Sequence, residues 1–305
     1  MRPLRGILYK VVSVLVFTVM AALVKATADA IPPGQAVFAR SIFALPVIVA
    51  WLAVQGELRT GLTTANPLGH FWRGLVGVAA MGANFAGLGM LPLPEVTAIG
   101  YAAPLLTVIF ASMFLGEPVR AFRLTAVALG MVGVLIVLSP RLSIGAGVTD
   151  REALGAMILL AGATFAALAQ VFVRKLVQTE TTSSIVFWFS LTAAALALIT
   201  LPFGWVWPTP VQAALLVTTG LLGGVGQIFL TQAYREAAAS VVAPFDYVSM
   251  LFAIAFGWFL FGEAPTLVVL AGAALIVAAG IVIIWRERQL GLERARQRKA
   301  MTPQG

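Results

Sequence analysis

The sequence predicts an all-α polytopic membrane protein with ten transmembrane helices in two inverted five-helix repeats. Three observations predict it. Of 305 residues, 60% are apolar and only 10% charged, against about 25% charged in an ordinary soluble domain. With a mean hydropathy of +0.98, most of the surface must face lipid rather than water. The apolar residues also fall into ten stretches near the ~20-residue length that crosses hydrocarbon. Finally, the chain is similar to itself at an offset of 146 residues.

The ten stretches are 7–28, 34–54, 72–91, 95–115, 121–138, 153–174, 183–202, 211–233, 239–261 and 266–285. Turn-forming residues punctuate them: Ile31-Pro32-Pro33-Gly34, Leu91-Pro92-Leu93-Pro94, Gly116-Glu117-Pro118 and Pro208-Thr209-Pro210. No connection is large enough for a soluble domain, and no long alternating pattern suggests a barrel. The first stretch follows Met1-Arg2-Pro3-Leu4-Arg5 and has no convincing small-residue cleavage site, so it is expected to be retained.

An even number of spans puts both termini on one side. With that side cytoplasmic, 16 of the 20 Lys and Arg lie inside; Lys25, Arg40, Arg141 and Arg151 lie outside or in outer halves of spans. This bias predicts cytoplasmic termini in a bacterial-type inner membrane. The net charge of +8 then sets topology, and no nucleic-acid partner is expected. The basic segment 286–305 reads as a cytoplasmic tail.

Between 74–117 and 220–263 the self-similarity needs no gap. It pairs Gly74/Gly220, Leu75/Leu221, Gly77/Gly223, Val96/Val242, Tyr101/Tyr247, Leu105/Leu251, Phe110/Phe256, Gly116/Gly262 and Glu117/Glu263. The repeats are 1–140 and 152–285. Five spans is an odd number, so the second repeat enters the membrane from the opposite side. Such halves can exchange conformations, letting a site between them face each side in turn, which predicts a transporter. A channel can also carry a duplicated repeat, but no filter-like loop is visible.

Other classes lack their chemistry. There is no Cys and one His, His70, placed in a cytoplasmic loop, which removes thiolate nucleophiles, Cys metal sites and His-rich metal sites. No Gly-x-Ser-x-Gly or phosphate-binding loop is present, and the last span has no Lys for a retinal Schiff base. No enzyme activity, metal or cofactor is expected.

Intramembrane polar residues are the site candidates, because they face a cavity or a partner. Asp246, in Pro244-Phe245-Asp246-Tyr247, reads as a cavity or proton-coupling residue, or as half of an ion pair whose mate is not obvious. Ser249 shares its face. Lys25 is expected to snorkel to the outer surface. Arg40 lies too deep for that and should reach helix-end carbonyls, Glu95 or an anionic substrate. Both are coupling or gating candidates. Gln227, Thr231 and Arg235 recur every four residues on the eighth span, and Asn84 and Gln170 are the isolated amides of spans three and six. Together they describe a wet, weakly charged interior suited to a neutral or zwitterionic solute. Tyr101, Tyr247 and Trp188 could stack on a planar ring or simply fill space. Glu117 and Glu263 read as structural carboxylates at helix ends, each followed by a helix-opening Pro. Spans 1, 3, 4, 6, 8 and 9 are the expected cavity walls.

Ten spans, Arg40, Arg73-Gly74-Leu75, Pro104 with Leu115-Gly116-Glu117, and Phe261-Gly262-Glu263 together resemble the drug/metabolite transporter superfamily in its EamA-type branch. The likeness covers about 7–285. It implies a secondary carrier of small metabolites in the inner membrane. The stretch from Arg73 to Pro140 is most similar to the branch of riboflavin and S-adenosylmethionine uptake carriers, which carries no binding residue over. The expectation is therefore a small-molecule carrier, with a proton as a coupling partner and the bilayer as its solvent. Uptake of a planar cofactor-like compound such as riboflavin leads, with export of amino acids or related metabolites as the alternative.

Overall fold

Ten apolar stretches and no strand pattern dictate helices, because a lipid-facing backbone must satisfy its own hydrogen bonds. The computed structural model describes residues 3–116, 121–142, 149–237 and 239–301. Every regular element among them is helical. The α-helices are α1 (Pro3–Thr27), α2 (Pro33–Gln55), α3 (Leu58–Leu62), α4 (Pro67–Leu88), α5 (Leu93–Gly100), α6 (Ala102–Leu115), α7 (Ala121–Leu142), α8 (Asp150–Leu176), α9 (Thr182–Ala197), α10 (Pro210–Glu236), α11 (Ala239–Val242), α12 (Val248–Phe261) and α13 (Leu267–Met301).

Local chemistry sets the helix starts, at Thr209 within a predicted turn segment and elsewhere a few residues ahead of the expected span. Thr149 and Thr209 form capping boxes with Glu152 and Gln212, Thr181 caps α9, and Asn66 caps α4 ahead of Pro67. Among the described residues, nine segments are long and apolar enough to cross a membrane. The expected third span is the tenth stretch and is not among them. Its helix α4 has 22 residues, about 33 Å at 1.5 Å per residue, so length is sufficient. His70, Arg73, Asn84 and its glycines dilute its apolarity instead.

The main pairings join a helix before residue 143 to one after residue 148: α1 with α10, α4 with α8, and α7 with α13. Small residues let these backbones approach. On α7 and α13, a Cβ on Gly133 would lie 2.8 Å from the Gly272 carbonyl oxygen. On α1 and α10, the Ser13 hydroxyl donates to the Gly226 carbonyl at 2.8 Å. α2 packs against both α10 and α9. The largest apolar core gathers Phe85, Leu88, Ile99, Tyr101, Leu105 and Leu159 with residues of α1, α2, α7, α12 and α13, so it runs through the whole bundle. The end of the bundle where α1 begins is termed the near end, and the end where α1 finishes the far end.

Candidate functional site

Two broken helices meet at the centre. α5 stops at Gly100, turns at Tyr101 and continues as α6. In the later part of the chain a 3-10 turn, Ala243–Tyr247, leads into α12. α6 and α12 both have 14 residues and both end on a left-handed glycine, Gly116 (φ 65°, ψ 20°) and Gly262 (φ 66°, ψ 21°). Glycine suits this cap because a Cβ is disfavoured at positive φ. At the breaks the Tyr101 and Tyr247 rings meet edge-to-face, 5.1 Å apart. The Ser249 hydroxyl donates to the Asp246 carbonyl at 2.7 Å and lies 2.6 Å from the Tyr101 hydroxyl, which therefore donates to Ser249. The Tyr101 and Ser249 hydroxyls thus have partners, and the Tyr247 ring packs against Tyr101.

A cavity of about 340 Å³ opens beside this junction. Its lining comes from α1 (Met20), α2 (Arg40), α4 (Arg73, Asn84), the α5–α6 junction (Gly100, Ala103), α8 (Gln170) and α9 (Phe189). The expected walls from spans 1, 3, 4 and 6 are present; spans 2 and 7 stand where spans 8 and 9 were expected. Of the expected site residues, Asn84, Gln170 and Arg40 line it. Tyr101, Tyr247, Ser249, Trp188, Gln227, Thr231, Asp246 and Lys25 lie outside its lining. Thr231 donates to the Gln227 carbonyl of its own helix. Trp188 packs near His70, with ring centroids 6.1 Å apart. His70 itself is buried in the first turn of α4 rather than in a loop.

Arg73 and Phe189 were missed. Arg73 reads as one more positive-inside charge at a span end, yet its guanidinium reaches along α4 to the level of Gly77. There it stacks on Phe189, 3.6 Å from the ring centroid, and Arg40 approaches the same ring at 5.7 Å. The bare glycine one turn on from Arg73 is the signal that could have found it. The cavity is therefore not weakly charged: it holds two arginines. Arg40 does not reach Glu95, because Arg141 engages that carboxylate with two hydrogen bonds of 2.9 and 2.8 Å.

A larger pocket of about 610 Å³ lies between α2 and the α9–α10 connection, lined by Phe38, Trp205, Trp207 and Leu216. It is apolar, and the amide of its Gln35 is already bonded to the Val206 backbone. It offers little to orient a polar solute.

Ion pairs tie the far end together. Lys25 lies 2.8 Å from Glu263 and also donates to the carbonyls of Leu88 and Leu91, at 3.1 and 2.8 Å. The other Glu263 oxygen accepts from the Leu93 amide at 2.8 Å. Lys25 thus holds the carbonyl end of α4, and Glu263 the amide end of α5, each the favourable partner for that helix dipole. Two expectations change. Lys25 does not snorkel, because buried carbonyls and a carboxylate satisfy it. Glu263 is a helix-end carboxylate, but for α5 rather than for the helix that follows it. Arg141 adds a pair with Glu152 at 2.9 Å. Glu117 lies outside the described residues.

At the near end, Lys10 is the mate that Asp246 lacked in the sequence, at 2.6 Å. The lysine side chain is 3% exposed and the aspartate 48%. Arg235 pairs with Glu57 at 3.0 Å, and Ser183 donates to the same carboxylate at 2.6 Å. The Ser183 hydrogen bond holds Glu57 below its ordinary range; burial opposes this and Arg235 reinforces it. Burial pushes Glu180 up, but the Thr64 hydroxyl and the Asn66 and Ala65 amides outweigh it, so this carboxyl also sits low.

A bundle of spanning helices around a central polar cavity, pinned by ion pairs at both ends, has the architecture of a membrane transporter. The EamA-like transporter family model matches residues 4–139 and 153–285. The chain belongs to this family, within the drug/metabolite transporter superfamily. It is 28% identical over 282 residues to the pseudopaline exporter CntI of Pseudomonas aeruginosa, covering 91% of this chain and 95% of that one. It is 28% identical to an S-adenosylmethionine uptake transporter of Rickettsia bellii, covering 84% of each. It is 29% identical to a riboflavin transporter of Rhizobium johnstonii, over 85% of this chain and 83% of that one. One crystal structure, 22% identical in sequence, shares the fold with a TM-score of 0.66, covering 95% of this chain and 99% of the other.

Proposed function

We propose that this chain is an alternating-access carrier that moves a small metabolite through the Arg40–Arg73 cavity, and is captured closed at its far end. The observation that carries the proposal is the placement of that cavity beneath the Lys25–Glu263 pair. The cavity draws its walls from both parts of the chain. Above it, partly buried charges lock α1, α4, α5 and the end of α12 together. At the other end the Asp246 side chain is half exposed.

The exchange of roles between two inverted five-helix halves, 1–140 and 152–285, supplies the motion. Supporting this, the α1–α10 and α4–α8 contacts interchange when each span is replaced by its counterpart in the other half. The matched glycine caps of α6 and α12 agree with it. Counting α4 as the third span gives ten, places both termini in the cytoplasm by the positive-charge bias, and makes the far end extracellular. An inner-membrane location follows for a bacterial chain. A coupling proton competes with Lys10 for Asp246.

Riboflavin uptake loses its residue-level support, because the two tyrosines that suggested it pack on each other instead of lining the cavity. Direction follows whichever coupled gradient is present. The test is counterflow in proteoliposomes preloaded with succinate, aspartate, S-adenosylmethionine or riboflavin. Saturable uptake of the labelled compound, accelerated by the same compound inside, supports a carrier. Linear, non-saturating flux of every compound overturns it.

A further inference from the structure

We infer that the cavity is an oxyanion site: the Arg40 and Arg73 guanidiniums together bind the carboxylate of a small organic anion, which is the transported solute. The inference deepens the carrier reading and rests on it.

Arg40 is 5% exposed, and its Nε and Nη1 are buried without a hydrogen-bond partner. Arg73 Nε and Nη1 are buried and unpartnered in the same way. Both side chains line the 340 Å³ cavity and both flank the Phe189 ring. The other cations that tie the two ends of the bundle each have a carboxylate: Lys10 has Asp246, Lys25 has Glu263, Arg141 has Glu95 and Arg235 has Glu57. Among the described residues no carboxylate forms an ion pair with Arg40 or Arg73.

Two like charges with unsatisfied donors in a low-dielectric site are costly, and an anion entering between them removes both costs. A guanidinium offers a planar fork that fits the two oxygens of a carboxylate. Phe189 fixes the plane of Arg73 by stacking, so less freedom is lost on binding. Asn84 and Gln170 face the same space and supply neutral donors and acceptors for the remainder of the solute. The volume lies near the lower end of the range of about 300–1,000 Å³ for metabolite pockets.

The experiment is thermal unfolding of the purified full-length protein in detergent. Succinate, citrate and inorganic phosphate are compared with neutral succinamide and riboflavin at constant ionic strength. A ligand that binds the folded state raises Tm with its concentration. The expected result is a saturable rise with a carboxylate and none with succinamide. Phosphate separates a general oxyanion site from a carboxylate site: a phosphate rise alone, or no saturable rise with succinate or citrate, overturns the carboxylate assignment. Arg40→Gln and Arg73→Gln should each weaken apparent affinity roughly ten- to a hundredfold, the scale of a lost charge-assisted hydrogen bond. Unchanged affinity in both variants overturns the inference. Should either variant fail to fold, the succinate–succinamide comparison on the unaltered protein decides alone. Loss of the carrier reading looks different: anions would bind, yet counterflow would be absent.

Discussion

Lys25 on α1 and Glu263 beyond α12 are separated by most of the sequence, yet their charged groups meet 2.8 Å apart at the far end of the bundle. Each also serves a third party. Lys25 takes the last carbonyls around α4, and Glu263 takes the first amide of α5. The pair therefore closes the α4–α5 turn as well as joining two distant stretches of chain.

Lys25→Met removes the ion pair and both carbonyl contacts and leaves Glu263 uncompensated. It should cost about 3 kcal/mol, the scale of a broken buried pair. Glu263→Gln keeps an acceptor for the Leu93 amide and should cost less. Chemical unfolding of both variants in detergent checks the order; a greater loss for Glu263→Gln would contradict this account of the latch.

Asp246→Asn should abolish accumulation driven by a proton gradient while sparing equilibrium exchange, because only the first requires a titrating group. Lys10→Gln, which releases the same carboxylate, should shift the pH dependence of accumulation without abolishing it. Flux assays in proteoliposomes with and without an imposed gradient separate these outcomes. Equal loss of both activities in Asp246→Asn would assign the pair to binding or folding instead.

Glu57 has its pKa lowered from an ordinary value of 4.5, first by the Ser183 hydrogen bond and then, against burial, by Arg235. A lowered folded-state pKa means the contact stabilises above the unfolded value and is lost as pH falls through the folded one. Wild-type protein should therefore exceed Glu57→Gln in stability at neutral pH. The difference should begin to shrink as pH falls through 4.5 and disappear only below the lower folded-state value. Unfolding curves for the two proteins across this window measure it; a gap that widens in acid has the wrong sign.

Gly262 ends α12 at φ 66°, where a Cβ costs about 1–2 kcal/mol. Gly262→Ala should lose that amount. Gly82, mid-helix in α4 with nothing near its missing Cβ, should gain about 0.5–1 kcal/mol as Gly82→Ala. Paired thermal denaturation of the two variants tests the contrast.

What the sequence reveals about this molecule follows from how far each signal reaches along the chain. The helix start at Thr209 is legible, and Thr149 and Thr181 carry the same kind of signal, because a cap and its helix lie within four residues. Helix α4 shows the limit of hydropathy: its length is readable, but His70, Arg73 and Asn84 mix a site with a span. The shared Tyr and Gly-Glu pairs mark two corresponding spans, which read as continuous helices although both break at the tyrosine. They do not reveal that the tyrosines face each other, since that contact is set by how α5 and α12 pack. Lys10 reads as a topology charge until Asp246 appears beside it, and Lys25 as a snorkelling charge until Glu263 does. Arg73 hides for the same reason, since a cation at a span end carries the same local signature whether it meets water or turns inward.

In the proposed cycle the Arg40–Arg73 cavity opens to one side at a time, with the Lys25–Glu263 pair holding the far side shut. The chain has no cysteine, so Ala80→Cys places a single thiol in the cavity lining. Its reaction with a membrane-impermeant thiol reagent is measured from each face of sealed, oriented vesicles. Labelling from the near end is expected in the otherwise native protein, moving substantially to the far end when Glu263→Gln is added. Labelling that is the same from both faces, with or without Glu263, would contradict the account.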